Sequence, residues 1–186
     1  MKKEKIILGI DPGTNVLGYG IIKITGKQYE LLTLGVIMLN KLPDHQAKLK
    51  SIFEKTLRLV EQYLPDEMAV EAPFFGKNVQ SMLKLGRAQG VVMAAGLYRD
   101  VPIAEYSPRT IKQSVTGKGS ASKEQVAAML ESIFNRPIET KFMDATDGLA
   151  VALCHHYQTS SAMPSAGGKK GWADFIKNNP DKISGL

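Results

Sequence analysis

Residues 6–14 read Ile-Ile-Leu-Gly-Ile-Asp-Pro-Gly-Thr. Four apolar residues and one glycine run without alternation, which is typical of a strand buried on both faces. Asp11 ends the apolar run, and Pro12-Gly13 suits the central pair of a tight turn. We therefore expect Asp11 at the carboxyl end of a central strand, where open α/β sheets bind their ligands. The alternative is that Asp11 only hydrogen-bonds its own turn.

Length and composition limit the class of protein. The chain has 186 residues, a formal net charge of +6 and a single cysteine, Cys154. The length predicts one domain or one domain with a tail, and the basic charge favours polyanionic partners such as nucleic acid. A lone cysteine excludes an intramolecular disulfide, which fits a reducing compartment. The apolar runs are too short for a signal peptide or a membrane span, so we expect a soluble, cytoplasmic protein without a membrane partner.

The order of predicted strands and helices decides the fold class. Short connections join the first three strands, which indicates an antiparallel meander. The strands are predicted at 6–10, 17–24, 29–39, 68–71 and 101–106, and the helices at about 45–64, 79–98, 107–115, 122–134 and from 143. This order predicts an α/β fold: a mixed five-stranded sheet, three antiparallel strands then two parallel, with helices on both faces.

Local signals place the domain boundary and several helix starts. The composition becomes small, polar and glycine-rich from about Ser160, so we expect a domain over 1–159 and a flexible C-terminal tail over 160–186. Ser107-Pro108 predicts a capped helix start, and Ser122 with Gln125 forms a capping box.

Other patterns predict packing rather than chemistry. Gly18 and Gly20 suit close backbone approach, because no helix opens directly after them as a phosphate loop would require. We expect His155 and His156 to be structural or solvated, since no third ligand stands at metal spacing, and Cys154 to be buried and inert on its apolar helix. The charged residues of the first helix predict a solvated face: Lys48, Lys50, Glu54, Lys55 and Arg58.

Four acids are the candidates for chemistry. Asp11 and Glu71 each end a predicted strand, and Asp144 and Asp147 share one face of the last helix because they are three residues apart. Taken alone, the helical pair could be a cap and a first-turn acid. Convergence of all four would cost about 4 kcal/mol per like-charged pair about 4 Å apart at an effective dielectric of about 20, so such a cluster needs cations. All-carboxylate ligation suits Mg²⁺ or Mn²⁺, and paired ions of this kind hydrolyse phosphodiesters.

Several segments carry a resemblance to a known family. They are Gly9–Thr14, Glu71 after its apolar strand, Lys84–Val91, Ile111–Lys123 and Asp144–Ala150. In this order and at these spacings they resemble the bacterial Holliday-junction resolvases of the RuvC type, over roughly residues 5 to 158.

The resemblance implies a fold and an activity. The fold would be ribonuclease H-like, and a homodimer would cut two opposed strands of a four-way DNA junction in recombination and repair. The nicks would carry 5′-phosphate and 3′-hydroxyl ends, and the enzyme would act with a branch-migration complex. We expect the helix over 78–98, including Met82 and Ala88, to form part of the dimer interface because its surface is small and apolar.

The resemblance also assigns residues. Asp11, Glu71, Asp144 and Asp147 match the metal-binding catalytic acids, which would hold two Mg²⁺ ions, although some relatives have histidine in place of Asp144. Lys112 and Lys123 match lysines needed for cleavage or DNA contact. Lys123 would lie near the charge that develops on the phosphoryl oxygens, or would simply be solvated beside its capped helix.

Basic and aromatic residues near the acids predict DNA contact. Phe74 matches an aromatic residue that stacks on bases at the opened centre of the junction, and Phe75 beside it departs from the family pattern, so either ring could stack. A hydrophobic plug under the loop is the alternative for both rings. Phosphate contacts are expected from Lys77, Lys84, Arg87, Arg109, Lys112, Lys118 and Lys123.

Three other functions are compatible with parts of the pattern. A sugar-kinase, actin or chaperone-type ATPase also opens with a strand, an aspartate and a Gly-Thr turn, but it needs two such domains, and this chain is too short for both. A different nuclease on the same fold could cut RNA, since four acids do not distinguish RNA from DNA. A non-catalytic nucleic-acid module would leave four carboxylates in a basic surface unexplained.

Overall fold

The strands and helices form where the apolar periodicities predict them. The structure is a computed structural model, which describes residues 4–73, 78–138 and 143–160. Its strands are β1 (Glu4–Asp11), β2 (Val16–Thr25), β3 (Gln28–Met38), β4 (Glu67–Glu71) and β5 (Ile103–Tyr106). Its helices are α1 (His45–Tyr63), α2 (Val79–Leu97), α3 (Pro108–Thr116), α4 (Lys123–Phe134) and α5 (Met143–Thr159).

The five strands form one mixed sheet in the order β3-β2-β1-β4-β5. β1 pairs antiparallel with β2 and parallel with β4, and β4 pairs parallel with β5. The predicted fold class is therefore confirmed, including the central position of β1. This topology brings the carboxyl ends of β1, β4 and β5 to the same edge of the sheet.

Alternate residues of the strands face two separate hydrophobic clusters. Ile7 and Ala69 pack with residues of α3, α4 and α5 on one face, whereas Leu8 and Met68 pack with α1 and α2 on the other. Both faces are covered, which explains the uninterrupted apolar sequence of β1. Complete burial of each large aliphatic side chain contributes about 1.5–3 kcal/mol to the stability of the fold.

The predicted starts of α3 and α4 are confirmed. The Ser107 side chain accepts from Thr110 N ahead of Pro108, and Ser122 and Gln125 make both hydrogen bonds of a capping box. β5 begins later than predicted, at Ile103. Pro102 has no N–H to donate to the sheet, although its carbonyl accepts from Met68 N at 2.8 Å.

Two predictions about helix faces are wrong. Ala88 is buried in the cluster between α2 and the sheet, so it is not on the outer surface of α2 where the dimer prediction placed it. Lys48 is half-buried, and its ammonium donates to the turn after β1 instead of facing solvent. The remaining charged residues of α1 are exposed as predicted: Lys50, Glu54, Lys55 and Arg58.

The described ranges contain no helix long and apolar enough to cross a membrane. Some of the predicted features lie outside the described residues. They are the tail beyond Ser160, the loop residues Phe74, Phe75 and Lys77, and residues 139–142 just before α5.

Candidate active site

Strand pairing places Asp11 beside Glu71. The parallel register pairs Ile10 of β1 with Val70 of β4, and Asp11 and Glu71 are the next residue of each strand. Side chains alternate along a strand, so both acids point to the same side as Ile7 and Ala69, toward α5. Two residues 60 positions apart in the sequence are thus neighbours at one edge of the sheet.

Glycines allow α5 to lie directly on the sheet. A Cβ on Gly18 would lie 1.7 Å from the carbonyl oxygen of Asp144, and one on Gly20 would lie 2.5 Å from Leu149 Cα. A Cβ on Gly148 of α5 would in turn lie 2.5 Å from Tyr19 Cα. Real Cβ atoms do not approach other atoms this closely, so these positions accept only glycine unless the helix moves. The predicted role of Gly18 and Gly20 in close backbone approach is confirmed.

This close packing brings the acids of α5 to the strand ends. One carboxylate oxygen from each of Asp11, Asp144 and Asp147 lies within 4.8 Å of the others. Glu71 stands outside that triad of described residues but is close enough for its charge to act on Asp11 and to be acted on by Asp147. The predicted convergence of the four acids is therefore seen as a tight group of three with Glu71 beside it.

The acids of the strands are held in an environment that disfavours their charge. Burial raises the pKa of Asp11 well above its ordinary value, and the charges of Glu71 and Asp147 raise it further. Burial, followed by repulsion from Asp147, also raises the pKa of Glu71. A cation among these oxygens would stabilise all the carboxylates in their charged form.

Lys123 supplies a positive charge beside the cluster. Its ammonium donates to Asp147 Oδ2 at 2.5 Å and lies 3.8 Å from Asp144 Oδ1. Burial by itself would lower the pKa of Lys123, but the hydrogen bond and charge of Asp147 outweigh that effect and raise it. The lysine is therefore charged at neutral pH and lies at the acids, and it is not simply solvated beside its capped helix.

The other predicted basic residues with described positions lie on α3, on the loop between α3 and α4, and on α2. Lys112 is half-buried, and its charge acts on Glu71. Arg109 lies along the loop between α3 and α4, because a Cβ on Gly119 would be 2.8 Å from Arg109 Cγ. Lys118 of that loop and Lys84 and Arg87 of α2 are exposed.

The loop between α3 and α4 is held by a residue that the sequence analysis did not single out. Gln113 Nε2 donates to the Gly117 carbonyl at 2.5 Å, and Gln113 Oε1 accepts from Gly119 N at 2.9 Å. Thr116 Oγ1 also accepts from Lys118 N at 3.1 Å. A glutamine four residues before a Gly-x-Gly turn is the signal that could have identified this arrangement.

A cavity of about 150 Å³ lies between the acids and α2. Asp11 and Glu71 line it together with Pro12, Leu85 and Gln89. Gln89 Nε2 donates to Glu105 Oε2 at 2.5 Å, which fixes the buried amide at this boundary. The end of α2 that carries Lys84 and Arg87 therefore flanks the acidic cluster.

The two histidines that follow the acids on α5 pack within the fold: His156 is half-buried with its ring 5.3 Å from that of Tyr29, and His155 has a buried structural role. His155 is buried, accepts or donates through Nδ1 at 2.8 Å to the Tyr106 hydroxyl, and hydrogen-bonds Glu67 through Nε2. Lys5 Nζ pairs with the same Glu67 at 2.5 Å. A larger cavity of about 280 Å³ adjoins these groups at the opposite end of the sheet, and its acids already have partners: Glu67 pairs with Lys5, Glu4 pairs with Lys23, and Asp66 accepts from Ile6 N. Cys154 is buried, as predicted, and its thiol donates to the Ser114 hydroxyl at 3.4 Å.

The acidic cluster fits a hard divalent cation. It offers only carboxylate oxygens, from Asp11, Asp144 and Asp147 with Glu71 adjacent, and oxygen ligands suit Mg²⁺ or Mn²⁺ rather than softer metals. Burial, with repulsion between the acids as the second cause, raises the pKa values of Asp11 and Glu71, and a cation would relieve both effects.

Comparison with known proteins agrees with this geometry. Residues 7–155 match the family model described as crossover junction endodeoxyribonuclease RuvC. The chain belongs to the RuvC family. It is 57% identical over 185 residues to a protein of that name from Porphyromonas gingivalis, covering 97% of this chain and 98% of the relative. A protein of the same name from Cytophaga hutchinsonii is 59% identical over 180 residues, covering 97% and 88% of the two chains.

A solved RuvC structure has the same fold. T. thermophilus RuvC in complex with Holliday junction substrate superposes with a TM-score of 0.77 at 30% identity, covering 83% of this chain and 94% of that one. The yeast mitochondrial Holliday junction resolvase Ydc2 shares the fold with a TM-score of 0.59 at 14% identity, covering 81% and 78%. The fold of the RuvC family therefore accounts for the described part of this chain.

Proposed function

We propose that this chain is a structure-selective endonuclease that resolves four-way DNA junctions by paired symmetric nicks, using two Mg²⁺ ions per active site. The observation that carries the proposal is the convergence of Asp11, Asp144 and Asp147, with Glu71 adjacent, beside the charged Lys123. Membership of the RuvC family supports the choice of substrate, because relatives carry the name crossover junction endodeoxyribonuclease.

The four acids would hold the metal. When bound there, divalent ions activate the attacking water and stabilise the leaving 3′ oxygen, which yields 5′-phosphate and 3′-hydroxyl ends. Mg²⁺ is the proposed ion, and Mn²⁺ would satisfy the same oxygen ligands.

Lys123 serves the phosphate in this proposal. Asp144 and Asp147 would hold the ion, and the Lys123 ammonium lies beside both carboxylates, 3.8 Å from Asp144 Oδ1 and 2.5 Å from Asp147 Oδ2. From this position the ammonium would donate to a phosphoryl oxygen of the substrate, where negative charge develops in the transition state. Lys112, on the side of Glu71, adds positive charge that attracts the backbone of the substrate.

DNA contacts extend from the acids over α2 and the α3–α4 loop. Lys84, Arg87, Arg109 and Lys118 provide phosphate contacts in this proposal, and their exposure leaves their charges available. Phe74, Phe75 and Lys77 lie outside the described residues, and we retain them as proposed DNA contacts of the loop that follows Glu71.

The active unit is proposed to be a homodimer, because two symmetric nicks need two active sites. Val79 and Leu83 of α2 are 65% and 50% exposed, and because they are four residues apart they lie on one face of the helix, which supports an interface there. We further propose that the protein acts in the cytoplasm with a branch-migration complex. Its nuclease domain would span residues 1–159, and residues 160–186 would form a tail.

Nicking of a labelled synthetic four-way junction tests the function. Wild type and Asp11→Asn are compared in Mg²⁺ and in EDTA, with a matched linear duplex and a hairpin RNA alongside. We expect paired, ligatable nicks on the junction alone, lost in EDTA and in the variant. Cutting of the RNA or of the linear duplex would show that the proposed substrate is wrong. Absence of cutting by wild type would favour a non-catalytic nucleic-acid-binding module.

A further inference from the structure

The turn that follows Asp11 is tied to α1 by one lysine. Lys48 Nζ donates to the Thr14 carbonyl at 2.9 Å and to Asn15 Oδ1 at 3.0 Å. Lys48 lies one turn inside α1, which packs on the face of the sheet opposite to α5. A side chain from the far layer of the fold therefore reaches the loop that carries the first catalytic strand into β2.

The same turn is held at two further points. Leu39 N donates to the Asn15 carbonyl at 2.8 Å, so the end of β3 supports the turn from a second direction. A Cβ on Gly13 would lie 1.8 Å from the Val16 carbonyl oxygen, so the turn closes tightly on itself. Lys48 is the side chain among these contacts that binds two successive residues of the turn at once.

Both acceptors of Lys48 are neutral oxygens, and the side chain is half-buried. A lysine of a solvated helix face would keep its ammonium in water, as Lys50 does two residues later. Ordering this flexible side chain costs conformational entropy, and two hydrogen bonds from a charged donor offset that cost. The hydrogen bonds of the Lys48 ammonium therefore stabilise the turn and do not form a salt bridge.

We propose that Lys48 is a positioning residue for catalysis: it fixes the turn Pro12–Asn15 and so holds the Asp11 carboxylate in the orientation that metal binding requires. The inference rests on the proposed function. A metal ligand must be held within about 0.5 Å and 10–20° of its productive geometry. Asp11 is the last residue of β1, and Thr14 follows it by three residues, so motion of the turn is transmitted to Asp11 over a short length of chain.

The test compares three substitutions in α1. Lys48→Met keeps the length and helix propensity of the side chain but removes both hydrogen bonds, and Lys48→Arg keeps a charged donor. Lys50→Met is the matched control, because Lys50 is exposed and makes only a weak 3.8 Å contact with Glu54. Single-turnover junction cleavage, junction affinity in EDTA and its salt dependence, and Mn²⁺ binding to the DNA-free protein are measured for each.

We expect Lys48→Met to lower the single-turnover rate about 10- to 100-fold, because a displacement of about 1 Å can cost that much. Its Mn²⁺ affinity should fall several-fold, with junction affinity and salt slope unchanged. Lys48→Arg should recover most of both losses, and Lys50→Met should match wild type. Hydrogen exchange of the Gly13, Thr14 and Asn15 amides should rise in Lys48→Met alone.

Two results would overturn the inference. One is unchanged cleavage and Mn²⁺ binding in Lys48→Met. The other is loss of junction affinity with a salt slope lower by about one, which would make Lys48 a phosphate contact instead. If Lys48→Met does not fold, Asn15→Ala can replace it, because it removes one acceptor of Lys48 at an exposed position. Asn15→Ala should lower the cleavage rate and the Mn²⁺ affinity by a smaller factor and leave the junction affinity unchanged. Failure of the proposed function is distinct: wild type and Lys50→Met would then cut no junction, while Mn²⁺ binding would still report on Lys48.

Discussion

Gly18 of β2 lies against the backbone of Asp144 so closely that a Cβ at position 18 would sit 1.7 Å from the Asp144 carbonyl oxygen. The contact joins a strand that carries no catalytic group to the helix that carries two of the acids. Because α5 rests on the sheet at this point, the missing side chain of Gly18 determines how near Asp144 and Asp147 come to Asp11.

Gly18→Ala is expected to displace the start of α5 and separate the acids. Overpacking of this kind costs about 1–3 kcal/mol of stability. Cleavage of a four-way junction should fall far more than the melting temperature suggests, because the metal site loses its geometry. Thermal unfolding and single-turnover cleavage of the same preparation measure the two effects.

Gly90→Ala is the matched control for that substitution. Gly90 is an exposed residue of α2, and a Cβ there would meet nothing within 4 Å. Alanine should stabilise this helix position by about 0.5–1 kcal/mol and leave the acids where they are. Because Gly90 lies on the same face of α2 as Val79 and Leu83, the two variants are compared by Mn²⁺ binding to the DNA-free protein as well as by cleavage. A Gly18→Ala enzyme as active as Gly90→Ala would contradict the account of how α5 is seated.

Asp11→Asn is expected to separate binding from cleavage. The substitution removes one ligand charge from the metal site while keeping the shape of the side chain, so cleavage should fall at least about 100-fold, which corresponds to about 3 kcal/mol of transition-state stabilisation. Junction affinity in EDTA should be equal or greater, most clearly above about pH 8, because the wild-type Asp11 carboxyl is charged there and the variant removes that negative charge from beside the phosphate. Filter binding in EDTA and cleavage in Mg²⁺ provide the two readings, and weaker binding by the variant would count against the site.

The raised pKa values of Asp11 and Glu71 predict how the metal-free protein responds to pH. In the folded chain these acids hold their protons to higher pH than in the unfolded chain, because burial and mutual repulsion disfavour the charged form. Above about pH 4, the ordinary pKa of such groups, the folded state therefore binds more protons than the unfolded state, and stability falls as pH rises through the folded pKa values.

Melting temperatures in EDTA from pH 5 to pH 8.5 measure this effect. Asp11→Asn should flatten the decline relative to wild type, since asparagine does not titrate. Added Mg²⁺ should raise the melting temperature of wild type most at the alkaline end, where the carboxylates are charged and bind the ion best. Parallel curves for wild type and variant in EDTA would mean that Asp11 is not strained in the metal-free fold.

The exposed apolar residues of α2 predict the dimer contact. Leu83→Glu places a charge on a side chain that is half exposed in the single chain, so it should leave the monomer folded while weakening association. Sedimentation at micromolar concentration should show a shift toward monomer. Ala88→Glu is not a suitable probe, because Ala88 is buried and a charge there would destabilise the monomer itself. If the Leu83→Glu variant remains fully dimeric, the dimer interface does not include Leu83 and lies on another surface.

Much of the fold follows from local physics that is visible in the chain itself. The uninterrupted apolar run of β1 predicts its burial, Ser107 and Ser122 predict where α3 and α4 begin, and Asp11 and Glu71 stand at strand ends because apolar residues precede them. The spacing of Asp144 and Asp147 places both on one helix face. These features depend on neighbours within a few residues, so sequence alone suffices for them.

Other features depend on which distant elements pack together, and only the tertiary structure decided them. The sequence pattern predicts that Lys48 lies on a solvated helix face. In the structure Lys48 hydrogen-bonds the turn that follows Asp11, because α1 packs on the sheet. The sequence predicts Ala88 on the dimer-forming surface of α2, but the orientation of α2 about its own axis buries Ala88 against the sheet. Lys123 contacts Asp147 across 24 residues of sequence because α4 and α5 share one face. The chain thus determined which residues could bind a metal, whereas the packing of helices on both faces of the sheet decided which of them meet and what holds them there.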